Sequence, residues 1–183
     1  EAYAPKSFKE MVNLHLAAAK ETYLPFRNQD LFGYMNADGN VIQEAEFEFV
    51  GFFQEGLAQI TKNGKYGFIN NLMEIQIPCI YESVTEFIDG KSVVELHGKF
   101  GLIDRNGRYV LPCEFDDMGI MSENLAYASA KDVYGYYDSA GKRRIDHIFD
   151  DAFDFVEGRA KIQFEGKQGY VDIYGGFIVP PAY

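Results

Sequence analysis

The chain has 183 residues, 47% of them hydrophobic, a length near that of one ordinary domain with enough apolar material for a substantial core. Asp and Glu outnumber Lys and Arg by 28 to 17, and no basic cluster interrupts that surplus, which argues against a nucleic-acid partner and against anionic membranes. No run of about 18 apolar residues is available to insert in a bilayer as a helix, and two cysteines, Cys79 and Cys113, are too few for a disulfide-stapled scaffold.

The first predicted element is a helix over about residues 8–20. Ser7 stands three residues before Glu10, the spacing of a capping box, and Phe8, Met11, Val12, Leu16 and Ala19 supply an apolar face. Such a helix would cap the edge of a following sheet or pack on an upstream domain. Because the chain starts at Glu1 rather than Met, a processed or trimmed start is expected, with any signal peptide removed. Glu21 to Phe26 then lie one period before Glu55 to Ile60 and predict a degenerate first strand, so that 1–30 form an N-terminal segment and 31–183 a repeat domain.

The period is read from glycines. Gly33, Gly67, Gly101, Gly135 and Gly169 follow one another at 34 residues without insertion or deletion, preceded by Phe32, Tyr66, Phe100, Tyr134 and Gln168. Three residues past each glycine come Asn36, Asn70, Asp104, Asp138 and Asp172, and six past it Gly39, Gly107, Gly141 and Gly175, with Met73 as the exception. That is the chemistry of a type I turn, Asp or Asn first and Gly fourth. Fourteen past the glycine stand Phe47, Tyr81, Phe115, Phe149 and Tyr183, an aromatic column assigned to the core.

The second half of each unit opens a further turn at Glu55, Asp89, Glu123 and Glu157, continues as a short apolar run, and closes on Asn63-Gly64, His97-Gly98 or Glu165-Gly166, of which Asn-Gly is the strongest hairpin signal. One unit therefore predicts a three-stranded meander, too small to be stable alone, so units must stack and share the aromatic columns. The fold expected is mainly β: tandem 34-residue repeats of short antiparallel strands, stacked as an open array or a small propeller-like ring, behind a short N-terminal helix.

These motifs resemble the WG-repeat family, whose units carry Asn-Gly-Lys-Trp-Gly-Tyr-Ile-Asp and then an Ile-Pro-Pro-x-Tyr segment. The matching stretches are Asn63-Gly64-Lys65-Tyr66-Gly67-Phe68-Ile69-Asn70, Gly98-Lys99-Phe100-Gly101-Leu102-Ile103-Asp104, and Gly169-Tyr170-Val171-Asp172 leading to Val179-Pro180-Pro181-Ala182-Tyr183. The motif tryptophan is replaced throughout, by Phe, Tyr or Gln. The resemblance implies a bacterial protein of a kind that recurs among exported chains, at the periplasm or cell surface, with no shared enzymatic activity.

No nucleotide fingerprint, zincin helix or nucleophile elbow is present, and the Gly-Lys pairs lack the remainder of a phosphate loop. Cys79, Cys113 and His147 share the column twelve past the glycine and suggest zinc, but equivalent positions of successive units point in parallel and are expected to pack in the core instead. Glu48, Glu82, Asp116 and Asp150 form one acidic stripe and Glu55, Asp89, Glu123 and Glu157 another, a possible seat for Ca²⁺ or a basic partner, although turn chemistry and solvation account for both. The pairs Asp116-Asp117 and Asp150-Asp151 would point to opposite faces of a strand, against a glycosidase pair. His15, His97 and His147 have no nucleophile tied to them.

No catalytic, cofactor or metal residue is therefore expected. The function predicted is a non-catalytic binding or scaffold module engaging another protein through exposed aromatics of a repeated surface. The alternatives are a carbohydrate or cell-wall ligand held by Tyr and Phe faces, and, third, a hydrolase using acidic residues at a repeat interface.

Overall fold

The computed structural model describes residues 22–182, and over them the chain is built of strands and turns alone. The helix expected over 8–20, His15 within it, and the fifth aromatic anchor, Tyr183, lie outside the described residues.

Nineteen strands make five antiparallel meanders among these residues. The first is β1 (Leu24–Asn28), β2 (Leu31–Met35) and β3 (Val41–Phe47). The second is β4 (Phe49–Val50), β5 (Leu57–Lys62), β6 (Lys65–Asn70) and β7 (Ile75–Tyr81). The third comprises β8 (Ser83–Val84), β9 (Lys91–Leu96), β10 (Lys99–Asp104) and β11 (Tyr109–Phe115). The fourth comprises β12 (Asp117–Met118), β13 (Leu125–Ala130), β14 (Val133–Asp138) and β15 (Arg143–Phe149). The fifth is β16 (Asp151–Ala152), β17 (Arg159–Phe164), β18 (Lys167–Asp172) and β19 (Phe177–Val179). The three-stranded meander of the repeat is thus present, and four of the five sheets add a two-residue strand directly after the aromatic anchor. Two residues carry no periodicity, so nothing in the sequence marked that strand. The chain divides into two compact units, residues 1–80 and 81–183.

Both turns of the repeat form as their residues dictate. Asn36, Asn70, Asp104, Asp138 and Asp172 each accept two backbone N–H bonds through Oδ1, at 2.8–3.1 Å, from the residues two and four further on. The left-handed residue that follows is Gly39, Gly107, Gly141 or Gly175, and Met73 holds the same conformation at φ 60°. The strand-joining hairpins of the second to fifth sheets put two successive residues at positive φ, as a type I′ turn requires, whereas that of the first sheet has Gln29 alone there. Asn63-Gly64, His97-Gly98 and Glu165-Gly166 do so with glycine second, whereas Lys131-Asp132 does so with no glycine at all.

The glycine that defines the period has a different reason. In the third sheet Phe100 pairs with Phe115 but Leu102 pairs with Leu111, so three residues of β11 stand opposite Gly101 alone. The same slip separates Tyr134↔Phe149 from Tyr136↔Ile145 and Phe32↔Phe47 from Tyr34↔Gln43. This bulge folds the closing strand across the glycine. A Cβ on Gly67 would lie 2.5 Å from the Ile77 carbonyl oxygen, 2.7 Å from the Pro78 carbonyl carbon and 2.8 Å from the Cys79 nitrogen. Only a residue without a side chain permits that approach.

Within each unit the core lies between successive sheets. In the first unit Tyr34 and Phe47 pack on Val50, Ala58 and Ile60, and the Tyr34 hydroxyl donates to the Gly51 carbonyl at 2.7 Å. In the second, Leu102, Leu111 and Phe115 of the third sheet meet Met118, Met121, Ala126 and Ala128 of the fourth. Tyr136, Ile145 and Phe149 of the fourth meet Ala152, Phe155, Ala160 and Ile162 of the fifth, with the Tyr136 hydroxyl donating to Phe153 at 2.8 Å. The anchors Phe47, Tyr81, Phe115 and Phe149 are all buried, each contributing about 1.5–3 kcal/mol of apolar burial. Phe53, Phe87, Met121 and Phe155, twenty residues past the glycine, form a second column, of which Phe53, Met121 and Phe155 supply rings and a thioether to these cores while Phe87 is likewise buried.

Candidate functional site

The first acidic stripe is a set of turn clamps. Glu48 accepts the backbone N–H of Gly64 at 2.9 Å, Glu82 that of Gly98 at 3.3 Å, Asp116 that of Lys131 at 2.8 Å, and Asp150 that of Gly166 at 2.8 Å. Each carboxylate leaves the end of one sheet and fastens the hairpin tip of the next. A negative acceptor suits an N–H that a type I′ turn leaves pointing outward. Asp116 also accepts from Lys99, and these two bonds hold its carboxyl below the usual range. The second stripe occupies the first position of the other tight turn, with φ of 49–52° at Glu55, Asp89, Glu123 and Glu157. Glu123 further accepts the N–H of Gly158 at 2.8 Å, and Glu157 pairs with Arg159 at 2.7 Å.

Cys79, Cys113 and His147 are placed over the motif glycines of three different sheets. Cys79 points its thiol toward the Ile60 carbonyl at 4.0 Å and Cys113 toward Val94 at 3.9 Å, while His147 bonds the backbone of Ala128. Those carbonyls belong to the residues paired with Gly67, Gly101 and Gly135. Among the described residues no three His, Cys, Asp or Glu side chains converge where a metal ion could sit. Burial pushes both thiols up, away from the thiolate, and burial pushes the His147 imidazole down, helped by Arg143. His147 stacks edge-on with Phe115 and lies against Tyr137, as a core residue would.

The paired carboxylates separate as strand geometry requires. Asp116 clamps its turn, whereas Asp117 caps the N–H of Met118 and accepts from the Tyr134 hydroxyl at 3.3 Å. Asp150 clamps Gly166, and Asp151 caps Ala152. Asp154 was not singled out by any pattern. One of its carboxyl oxygens is buried without a hydrogen-bond partner, and burial first, then the charge of Asp117, pushes it up from the ordinary value. Burial and the surrounding carboxylates likewise push the nearby Tyr127 phenol up to about 12.

Two surfaces present partly exposed side chains outside the turn clamps. The first is the residue that opens each closing strand. Val41, Ile75, Tyr109 and Phe177 are 48, 48, 48 and 46% exposed, and in the fourth sheet the position holds Arg143, paired with Asp146 at 3.0 Å. Tyr109 accepts from the Tyr81 hydroxyl at 3.4 Å and Phe177 packs its ring against Phe164, while the other half of each side chain faces solvent. The second is a cleft of about 290 Å³ in the second unit, lined by Glu123, Asn124, Leu125, Asp138, Arg144, Ile173 and Tyr174.

At the cleft floor Arg144 donates through Nε to Asp138 Oδ2 at 2.7 Å. Asp138 is buried, and burial alone would raise its pKa. The N–H groups of Lys142 and Ala140, followed by Arg144, outweigh that and hold it below the usual range. Tyr174, at the lip, sits on the Asp172 turn and is 85% exposed.

Comparison with known proteins adds the following. No curated protein sequence matches the chain. Among solved structures, a eukaryotic initiation factor superposes with a TM-score of 0.57 at 9% identity, over 87% of this chain and 51% of that one. KlHsv2 with loop 6CD replaced by a Gly-Ser linker gives 0.45 at 11% identity, over 67% and 47%. PorZ, a bacterial surface component of the type-IX secretion system of Porphyromonas gingivalis, gives 0.45 at 8% identity, over 88% and 25%. The chain spans about half the length of the first two, and the likeness to the initiation factor is one of fold alone. The WG containing repeat matches residues 32–66, 66–100, 100–131 and 134–167 in tandem. With its glycine column, its turns and its bulged closing strands in place, the chain belongs to the WG containing repeat family.

Proposed function

We propose that this chain is a non-catalytic binding module that engages another protein through the opening residues of its closing strands. The observation that carries the reading is that one step of the repeat is apolar and half exposed in four of the five sheets, at Val41 and Ile75 in the first unit and at Tyr109 and Phe177 in the second. A partner that reads these residues within a unit gains a small apolar contact at each of them, the way repeat surfaces accumulate affinity. The acidic stripes, being engaged in turns, are not the recognition surface in this reading.

The test is a photo-crosslinking residue placed at Tyr109, compared with one at Asp132 on a hairpin tip, in cells that make the protein. Discrete protein adducts from position 109 alone, suppressed by excess unlabelled chain but not by a Val41→Ser, Ile75→Ser, Tyr109→Ser variant, support the reading. Identical adducts from both positions, or none, refute it.

A second reading, a carbohydrate ligand, is favoured by the cleft. Tyr174 offers an open ring face at its lip, and Arg144, Glu123 and Asn124 offer the polar groups that orient sugar hydroxyls. A glycan array with wild type and Tyr174→Ala checks it. Binding lost in the variant supports the cleft, and a blank array with wild type removes it.

A further inference from the structure

The cleft between the fourth and fifth sheets is where the repeat departs from its own pattern, and three departures meet there. Nine residues past the motif glycine the chain has Ile42, Gln76, Val110 and Ile178, but Arg144 in the fourth sheet. Five past it stand Asp38, Leu72, Asn106 and Ala140, but Tyr174 in the fifth. The third departure is in the backbone. Where the fourth sheet follows the third, a Cβ on Gly141 would lie 2.6 Å from the Val110 carbonyl oxygen, so that turn presses on β11. The counterpart is Gly175, and the atoms nearest its Cβ are side-chain carbons of Ile145 at 3.2–3.6 Å. This turn stands off the backbone of β15 and leaves room for the cleft of about 290 Å³. The joint beside it is complete, with Tyr136 and Ile145 buried under the fifth sheet.

The groups around the opening differ in how far the fold has already satisfied them. Arg144 spends Nε on Asp138 Oδ2, and its two terminal amino groups keep their N–H donors on a side chain that is 50% exposed. In the second sheet the same two columns make a neutral pair, the Asn70 amide donating to Gln76 at 3.2 Å. The charge of Asp138 is thus matched by Arg144. That of Glu123 is treated differently: Oε2 accepts the Gly158 N–H, which carries no counter-charge, and a carboxylate so engaged has a second oxygen to offer. Asp172, which accepts the Tyr174 N–H at 2.9 Å, brings another carboxylate to the lip. Donors suited to hydroxyls, an aromatic face and surplus negative charge share one opening.

We propose that the cleft takes an amino sugar with a free amine, its ring on Tyr174, its hydroxyls on Arg144 and Asn124, and its ammonium at Glu123. The proposal deepens the carbohydrate reading of the cleft and rests on it. A neutral hexose lacks the ion pair, an N-acetylated sugar has lost the charge that makes it, and a uronic acid meets Glu123 with like charge. Glu123 is exposed, so the pair is screened by water and salt, and the preference for the amine over the neutral sugar is about two- to fivefold.

The experiment is an NMR titration of the isotope-labelled protein with cellotriose and with its two counterparts that carry a free amine or an N-acetylamino group at the second carbon of each ring. The expected result is shifts centred on Tyr174 and Asn124, and a Kd for the amine trimer about two- to fivefold below the other two, an advantage that added salt erodes. Glu123→Gln, which keeps an acceptor for the Gly158 N–H, is expected to abolish the advantage. Asp132→Asn, which removes one negative charge at the far end of the same hairpin, is expected to keep it. Equal Kd values for amine and neutral trimers overturn the amino-sugar assignment and leave the carbohydrate reading standing, whereas no sugar-induced shift at Tyr174 removes both. An advantage lost equally in Asp132→Asn overturns the assignment in favour of diffuse attraction. A lysine-rich peptide that displaces the amine trimer and binds as tightly overturns it in favour of a basic side chain of a protein partner.

Discussion

Replacing Gly67 by alanine tests the reason offered for the period of the whole array. The new Cβ would stand 2.5–2.8 Å from three backbone atoms of Ile77, Pro78 and Cys79, where ordinary contact begins near 3.4 Å, so the bulge must retreat by close to 1 Å. Backbone cannot swing aside as a side chain can, and Ile77 is a buried residue that would move with it. Overpacking of this kind costs about 1–3 kcal/mol. Alanine returns about 0.5–1 kcal/mol by restricting the unfolded chain. Taking the middle of each range, the net loss is about 1 kcal/mol, read as a lower urea midpoint at unchanged slope. Gly64, three residues away, supplies the contrast: it has open space around it but a φ of 68°. Gly64→Ala costs about 1–2 kcal/mol through the left-handed backbone, and Gly64→Asn recovers most of that because Asn tolerates the conformation. At position 67 the order reverses, since Asn brings more atoms into the same collision. A Gly67→Ala protein as stable as wild type, or an Asn that rescues position 67, would refute the close-approach argument.

Other substitutions have equally definite outcomes. Asp138→Ala strands two backbone N–H groups and Arg144, and is expected to cost about 2–3 kcal/mol by urea unfolding. Asp138→Asn keeps the Oδ1 acceptor, as Asn36 and Asn70 do in their sheets, and should cost about 1 kcal/mol or less. Converting Lys131-Asp132 to Asn-Gly gives the fourth sheet the hairpin residues of the second, and should raise stability by about 1 kcal/mol, seen as a higher melting temperature. Asp154 is held above its ordinary value in the fold, so its contribution is fully present below the unfolded carboxyl's pKa and is lost as pH rises through the folded one. Asp154→Asn should therefore raise the melting temperature at neutral pH by the equivalent of about 1 kcal/mol or less, with the gap closing toward about pH 4. A gap that widens on acidification would reverse the assignment.

The architecture was legible because its signals recur at one step. Gly67, Asn70 and Tyr81 reappear with equivalent residues in each unit, and one sheet's turn chemistry explains the next. Less could be read about why the glycines are there: a close approach leaves no mark on the neighbouring letters, and Pro78 and Pro112 only hint at a strand that has left its ladder. The purpose of Glu48 and its counterparts was hidden for a similar reason, since a carboxylate clamped to an N–H sixteen residues away has the same letter as one bathed in water. The column of Phe53, Phe87, Met121 and Phe155 carried a usable signal, the same 34-residue spacing, masked by the methionine and by exposed Phe49 and Phe52 nearby. The cleft could not be read at all. Arg144 and Tyr174 come from different repeats and share no column, and exposure distinguishes Tyr109 from buried Tyr136 only once the sheets are stacked.

The bonds that tie one sheet to the next are short along the chain: Tyr34 reaches Gly51 across 17 residues, and Glu48 reaches Gly64 and Asp150 reaches Gly166 across 16. A nascent chain emerging from the ribosome therefore completes each of these ties about half a repeat after the sheet it closes. Among the described residues no strand has to wait, unpaired, for a distant partner to be synthesised, which is the usual hazard of all-β proteins. Assembly can follow translation step by step, and a chain halted between repeats would hold sheets already folded behind it.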